Sequence, residues 1–264
     1  MVYFTCTGGS DYLDVIGDPG TPGVLAAMLD AARSCVSGFE GFRLYHIPSG
    51  SRTSGMLRTA AEELGLSARI EESWPTPRID MTRSPEAALE AANRTSLVRH
   101  EKWFRRSGEL VVHHWSDGDA IIPQLDDLFD QHVSRRAIAG QPSRFSDPTE
   151  REHFRVATSS LAVTGSLRFT RIDWDGRPIA FHLGSNFFGW YYWGLPSFDP
   201  QLSKRSPGEV LLRQLLLAAV DEGAHTFDFG LGGEAFKLRF ANDIPAVQTW
   251  ALEPRPPRDG KAGG

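Results

Sequence analysis

The clearest chemical pattern in the sequence is the segment RSPGEVL at residues 205–211, which has the composition of a phosphate-binding turn. Proline in the first turn of a helix lacks an N–H that would have no partner there, and glycine lets a phosphate group approach the backbone closely. The helix N-terminus would then present free N–H groups and the positive end of the helix dipole to a pyrophosphate. Arg205 could add a charge-assisted hydrogen bond. The residues predicted to bind such a group are Arg205, Ser206, Gly208, Glu209, Val210 and Leu211.

Three polar residues downstream could take part in acid–base chemistry. Asp228 follows a short apolar run typical of a buried strand, at the edge where open α/β sheets bind ligands, and its carboxylate could accept a proton from an ammonium group. It could equally cap the turn after the strand. Glu234 and Lys237 stand at i and i+3 on one helix, a spacing that favours a structural ion pair. Lys237 could alternatively stabilise a carbonyl oxygen or a phosphate.

Two ring side chains complete the catalytic candidates. His182 lies on one arm of an expected hairpin, and the ordinary pKa of histidine suits proton transfer near neutrality. A single histidine on a strand is, however, more often only a hydrogen-bonded polar residue. Tyr191 and Tyr192 point to opposite faces of their strand, so at most one of them reaches a cleft. We take Tyr192 as the candidate proton donor to a leaving group.

The elements that must position these residues follow in a regular order along the chain. The first 80 residues alternate helix and strand, and a basic helix at 85–106 and a strand at 110–115 come next. Asp147 is the expected N-cap of the second of two helices that precede a hairpin turning at Asp175-Gly176. The later expected elements are a strand at 189–195, helices at 207–222 and 234–240, and strands at 226–229 and 247–252. Taken alone, the RSPG turn fits an ordinary loop better than a binding site. The resemblance of this order to that of a known family reverses the preference.

Composition excludes several classes of function. The formal net charge of -5 and the pI near 5.9 argue against a surface built to wrap nucleic acid, and a solvated face is the favoured interpretation of the basic helix. Cys6 and Cys35 form neither a CxxC motif nor a Cys/His cluster, so we expect no disulfide framework, no metal and a cytoplasmic setting. No apolar run reaches the length of a membrane helix, and membrane association is not expected.

Three sequence blocks carry a resemblance to a known family. They are DGRPIAFHLG at 175–184, YYWGLPSFDPQLSKRSPGEVLL at 191–212 and FDFGLGGEAFKLRF at 227–240. The order of elements resembles that of the GNAT acyltransferases, and the three blocks are similar to the cellulose-biosynthesis-associated (CelD/BcsL-type) acetyltransferase branch. Val210 stands where a small residue is usual, and Phe236 replaces the usual tyrosine. The related FemABX aminoacyltransferases are built from two GNAT-like lobes.

The resemblance implies a fold and a reaction. The fold would be α/β (α+β), with tandem GNAT-like lobes and a mixed central sheet flanked by helices, and with a first lobe that is shortened or incomplete. The expected domains are 1–117, 118–254 and a disordered tail at 255–264. The reaction would move an acyl group from acetyl-CoA or another acyl-CoA to an amine of a small molecule or sugar, directly and without a covalent intermediate. Asp228, Glu234 and Lys237 owe their proposed roles mainly to this resemblance.

Two other functions remain open. One is a FemABX-like transfer from aminoacyl-tRNA, which the two-lobed build and the basic helix favour and the acidic composition disfavours. The other is a non-catalytic subunit in polysaccharide assembly, suggested by Val210 and Phe236. The sequence also leaves open the formation of a homodimer.

Overall fold

The computed structural model describes residues 1–255 and divides the chain into two compact units. The first unit contains residues 1–77, 231–238 and the C-terminal segment from Ile244; the second contains residues 78–230 and 239–243. The tail expected at 255–264 therefore lies outside the described residues from position 256 onward.

The first unit is a three-stranded antiparallel sheet covered by two helices. Strand β9 (Ala246–Pro254) is the central strand and pairs with β1 (Phe42–Pro48) on one side and β2 (Leu66–Pro75) on the other. Leu29, Leu57 and Trp250 belong to the apolar cluster between helices and sheet. The elements are α1 (Val24–Ser34), β1 (Phe42–Pro48), α2 (Arg52–Glu63), β2 (Leu66–Pro75) and β9 (Ala246–Pro254).

The second unit is built on a six-stranded mixed sheet. The strand order is β3-β8-β7-β6-β5-β4, and all neighbours are antiparallel except β7 and β8. The strands are β3 (Arg78–Asp80), β4 (Leu110–Trp115), β5 (Leu167–Trp174), β6 (Arg177–Phe187), β7 (Trp190–Phe198) and β8 (Thr226–Asp228). This arrangement confirms the mixed α/β fold with a mixed sheet flanked by helices.

Helices cover both faces of this sheet. Helices α3, α4 and α8 pack on one face around Phe104, Leu215 and Phe227, and α6 and α7 pack on the other around Phe129 and Phe169. The helices are α3 (Glu86–Ala92), α4 (Thr95–Ser107), α5 (Gly118–Ile121), α6 (Leu125–Ile138), α7 (Pro148–Ala162) and α8 (Pro207–Asp221). Helix α9 (Ala235–Phe240) follows β8.

Several local predictions are confirmed because each depended on short-range chemistry. Asp147 caps α7 by accepting the Thr149 N–H at 2.8 Å. Asp175 and Gly176 both have positive φ, as a two-residue hairpin turn requires. The basic helix, in contrast, is divided at Asn93 into α3 and α4.

One strand of the first sheet has no clear signal in the sequence. Strand β2 is an edge strand, and its exposed charged residues hide the alternation of apolar and polar positions. The first compact unit ends at residue 77, and β4 pairs with β5 in the sheet of the second unit. The expected domains, 1–117 and 118–254, stay a prediction. That the first unit is an incomplete GNAT-like lobe stays a prediction.

Candidate functional site

The parallel pairing of β7 with β8 is short, so one edge of β7 has a strand neighbour over only part of its length. It joins Trp190 to Thr226, Tyr191 to Phe227 and Tyr192 to Asp228, where β8 ends. Strand β7 continues to Phe198, and a 3-10 turn over residues 200–205 then leads into α8. After Tyr192, the edge of β7 that faces β8 is thus open, in the sense that no strand within residues 1–255 pairs with it.

A β-bulge interrupts β7 in the same stretch. Leu183 pairs with Leu195 and Ser185 pairs with Tyr192, so β7 has one residue more than β6 across this interval. A Cβ atom on Gly194 would lie 2.6 Å from the Leu183 carbonyl oxygen. Bulges release backbone groups from the ladder and occur next to active sites. Sequence analysis missed this one, although a glycine inside a strand is a signal for it.

The N-terminus of α8 has the predicted backbone form. Ser206 lies in the left-handed region with φ 54° and ψ 58°, and Pro207 occupies the first turn. The N–H groups of Glu209 and Val210 donate to the Ser206 carbonyl at 2.9 and 3.3 Å. The Gly208 N–H has no acceptor within residues 1–255. Of the backbone donors in this turn, the one on Gly208 is therefore free for a ligand.

The side chains of the predicted turn divide into two groups. Val210 and Leu211 are fully buried in the core on α8, so they can contribute only through the backbone. Glu209 accepts a hydrogen bond from Arg239 at 2.7 Å, and its other oxygen lies 3.7 Å from His100 Nε2. This pairing matters because an uncompensated carboxylate in the first turn would repel a phosphate.

Two arginines flank the turn, and only one of them was predicted. The Arg205 guanidinium lies over the Trp103 ring, 4.2 Å from its centroid. Arg135 of α6 lies 5.0 Å from the centroid of Phe198, whose ring is 3.1 Å from the position of a Cβ on Gly208. Burial, and secondarily the charge of Arg136, lowers the pKa of Arg135. No carboxylate of the described chain pairs with Arg135 or Arg205, so both charges can act on an anion.

Arg135 was missed because the fold alone brings it to this place. It lies on α6, an amphipathic helix whose sequence shows no binding motif. Because α6 packs on β7, the end of this helix comes close to the turn before α8. The pair Arg135-Arg136 at the end of that helix is equally explained by favourable interaction with the helix dipole.

Asp228 is completely buried, and both carboxylate oxygens accept hydrogen bonds. Trp190 Nε1 donates to Oδ2 at 2.8 Å, and the Gly230 N–H donates to Oδ1 at 2.7 Å. These bonds fix the end of β8 and the turn after it, which is the capping role considered from the sequence. If Asp228 takes part in proton transfer, its carboxylate must do so while it holds both hydrogen bonds.

Lys237 and Glu234 form the ion pair that their spacing indicated, at 3.0 Å. Lys237 Nζ also donates to the Leu231 carbonyl at 2.6 Å, and the Leu231 N–H donates to Asp11 at 2.8 Å. The buried ammonium group therefore stabilises the segment after β8. These residues belong to the first unit and Asp228 to the second, so the structure does not join the three candidates in one described site.

His182 lies fully buried against Tyr191 and Trp193, with ring centroids 6.4 and 5.6 Å away. Within residues 1–255 neither ring nitrogen makes a hydrogen bond, although the Tyr192 backbone is close enough to favour the protonated ring. Burial lowers the pKa of His182 to about 3, so the ring is neutral at physiological pH. His182 is therefore a core histidine.

Tyr192 is the tyrosine that remains partly accessible. Its ring packs over Gly194, with Cε1 3.2 Å from the position of a Cβ there. Tyr191 is 1% exposed, stacks on Phe227 and has its pKa raised by burial. Of the two, Tyr192 is placed beside the bulge and the open edge of β7.

Residues 1–255 contain neither a cluster of metal ligands nor a membrane-spanning helix. No group of three or more His, Cys, Asp or Glu side chains there could hold a metal ion. No helix there is both long and apolar enough to cross a membrane.

Comparison with known proteins identifies this arrangement. A family model described as an acetyltransferase (GNAT) domain matches residues 91–238. None of the curated proteins matches the sequence. Among solved structures, this chain aligns with FemX with a TM-score of 0.66 and 11% identity. The alignment covers 90% of this chain and 78% of the FemX chain.

Two further structures have the same fold. The C-terminal domain (DUF2156) of a proposed lysylphosphatidylglycerol synthetase from Agrobacterium fabrum has a TM-score of 0.59 and 15% identity, over 88% of this chain and 72% of that one. A protein of unknown function from Bacteroides thetaiotaomicron has a TM-score of 0.57 and 13% identity, over 87% and 75%. At such identities the likeness establishes the fold alone.

Replacing Asp228 by asparagine is expected to destabilise the protein. The amide NH2 would face either Trp190 Nε1–H or the Gly230 N–H, leaving a buried donor without an acceptor. Such a loss costs about 1–3 kcal/mol. Urea unfolding measures it, with the exposed Asp221→Asn as the matched control. An unchanged unfolding free energy would show that the two bonds contribute nothing.

His182→Leu is expected to reduce the acid sensitivity of the fold. The pKa of His182 is about 3 in the folded state, against 6.5 for an imidazole in water. Between these pH values the unfolded state therefore binds a proton that the folded state does not. The stabilising contribution is therefore present above pH 6.5 and is lost as the pH falls. Between pH 7 and pH 5, the free energy of unfolding should fall by about 2 kcal/mol less in the variant than in the wild type. Equal losses, measured by urea unfolding at both pH values, would contradict the assignment.

Proposed function

Since the chain belongs to the GNAT acetyltransferase family, we propose that it transfers an acyl group, most simply acetyl, from coenzyme A to an amine of a small molecule or sugar. The observation that carries the proposal is the N-terminus of α8, with a free Gly208 N–H and the guanidinium groups of Arg135 and Arg205 beside it. A helix N-terminus flanked by uncompensated arginines suits a pyrophosphate. Within the family, membership of the CelD/BcsL-type branch is part of the proposal.

The residues present fit this donor in charge and in shape. The free N–H, two guanidinium groups and the compensated Glu209 give the turn a net positive character. The open edge of β7 after Tyr192 offers backbone groups to an extended amide chain. Coenzyme A would supply an acyl group activated as a thioester.

The chain would promote transfer by positioning and electrostatics. Backbone groups released by the bulge at Trp193 and Gly194 lie where a carbonyl oxygen could be polarised. Attack by a neutral amine forms the C–N bond and breaks the C–S bond, and Tyr192 is the proposed proton donor to the departing thiolate. The ammonium proton leaves by way of water, because His182 is enclosed and Asp228 is held by two hydrogen bonds.

The remaining predicted residues have supporting roles in this proposal. Asp228 fixes the end of β8 opposite Tyr192, and Glu234 with Lys237 stabilises the segment that follows. We propose a cytoplasmic enzyme in keeping with the reduced cysteines of the sequence. Acyl transfer from aminoacyl-tRNA and a non-catalytic role in polysaccharide assembly are the alternatives that a donor-binding measurement separates.

Gly208→Asp and Gly208→Asn form a matched pair that tests the donor site. Both place the same bulk against Phe198, 3.1 Å from the new Cβ, but only aspartate adds a negative charge. We expect the aspartate variant to bind CoA at least about tenfold more weakly than the asparagine variant, because the added carboxylate repels the pyrophosphate. Isothermal titration measures both, with circular dichroism as the control for folding. Equal affinities would exclude the turn as the pyrophosphate site.

Arg135→Gln is expected to weaken CoA binding by about tenfold, the effect of losing one charge-assisted contact. Arg136→Gln is the control, since the Arg136 guanidinium donates instead to the Pro142 carbonyl at 3.0 Å. If the two variants bind CoA equally well, Arg135 does not contact the donor. If the wild type binds no CoA at all, the proposed function is wrong.

A further inference from the structure

Helix α4 carries a groove that the proposed pyrophosphate site does not use. The groove has a volume of about 420 Å³. We call it the α4 groove; its lining residues are Asn93, Thr95, Val98, Arg99, Lys102, Trp103 and Arg106. From Thr95 onward they recur at helical spacing, so they share one face of α4.

The α4 groove is cationic and uncompensated. Arg99, Lys102 and Arg106 make no hydrogen bond or ion pair with any residue that the structure describes. No acidic side chain lines the groove. The nearest acid in sequence, Glu101, is buried and already accepts hydrogen bonds from Arg105 at 2.7 Å and Arg213 at 2.6 Å.

Such a concentration of charge is unusual for this protein, whose net charge is -5. Many of its surface arginines are paired with carboxylates, such as Arg144 with Glu150 and Arg168 with Glu222. Three like charges on one helical face repel one another and destabilise the fold by a small amount. An anion bound between them would remove that repulsion.

Trp103 adds a planar aromatic surface to the α4 groove. Phe104 and Trp174 hold its ring in place, at centroid distances of 5.0 and 5.7 Å. The Arg205 guanidinium lies over the same ring, two residues before the α8 N-terminus. Trp103 and Arg205 thus connect the groove to the proposed pyrophosphate site. Tryptophan and arginine together are well suited to stacking on a nucleobase.

We propose that the α4 groove recognises the phosphorylated nucleoside end of the donor, with the base against Trp103 and the 3′-phosphate among Arg99, Lys102 and Arg106. The inference rests on the proposed function and extends it, because it makes the 3′-phosphate a determinant of donor specificity. The acidic net charge and the short length of the cationic face favour one small polyanion over an RNA strand.

The test compares CoA with dephospho-CoA, which lacks only the 3′-phosphate. Wild-type protein should bind CoA about tenfold or more tightly at low salt, a modest ratio because the cations are solvent-exposed. In the triple variant Arg99→Gln, Lys102→Gln, Arg106→Gln, the affinity for CoA should fall to that for dephospho-CoA, and the latter should stay unchanged. Isothermal titration gives all four values.

Arg105→Gln is the matched control, since it removes the same charge from the same helix at the side that faces Glu101. It should preserve the preference for CoA. Equal binding of CoA and dephospho-CoA by the wild type would overturn the inference and leave the proposed function intact. Binding of neither would overturn both. If a single-stranded RNA oligonucleotide binds, the triple variant abolishes that binding, and CoA and dephospho-CoA bind equally, the groove serves RNA and the inference is wrong.

Discussion

The sheet of the second unit depends on a parallel pairing between β7 and β8 that lasts for only three residue pairs. Because β8 stops at Asp228, the longer strand β7 keeps an open backbone edge. At Phe198 β7 ends, and the 3-10 turn that follows leads into α8. The buried carboxylate of Asp228 secures this end by holding Trp190 and the Gly230 turn together. An open edge and a helix N-terminus can therefore be neighbours in an otherwise paired sheet.

The charges around that N-terminus are arranged so that positive groups stay available. Glu209 is matched by Arg239, and Glu101 is matched by Arg105 and Arg213. Two other arginines near the start of α8 rest on aromatic rings, Arg205 on Trp103 and Arg135 on Phe198. A ring fixes the position of a guanidinium without neutralising its charge, so the side chain is oriented before a ligand arrives.

Sequence analysis succeeded where structure depends on near neighbours along the chain. The RSPG turn, the Asp147 cap and the Asp175-Gly176 hairpin turn each follow from a few consecutive residues. It failed where distant segments decide, as for strand β2, the bulge at Gly194 and the position of Arg135. The bulge exists because Gly184 and Gly194 allow two strands to approach closely, and a glycine alone does not reveal which strand it will meet.

The central strand of the first sheet is β9, the last described element of the chain. During synthesis, residues 1–77 leave the ribosome long before β9, the strand that completes their sheet. All six strands of the second sheet lie before β9 in the sequence, so they emerge earlier than it does. The edges of β1 and β2 that pair with β9 therefore stay unpaired until residues 246–254 emerge. The sheet of residues 1–77 cannot form before β9 is available, and loss of β9 would leave β1 and β2 without the strand that joins them.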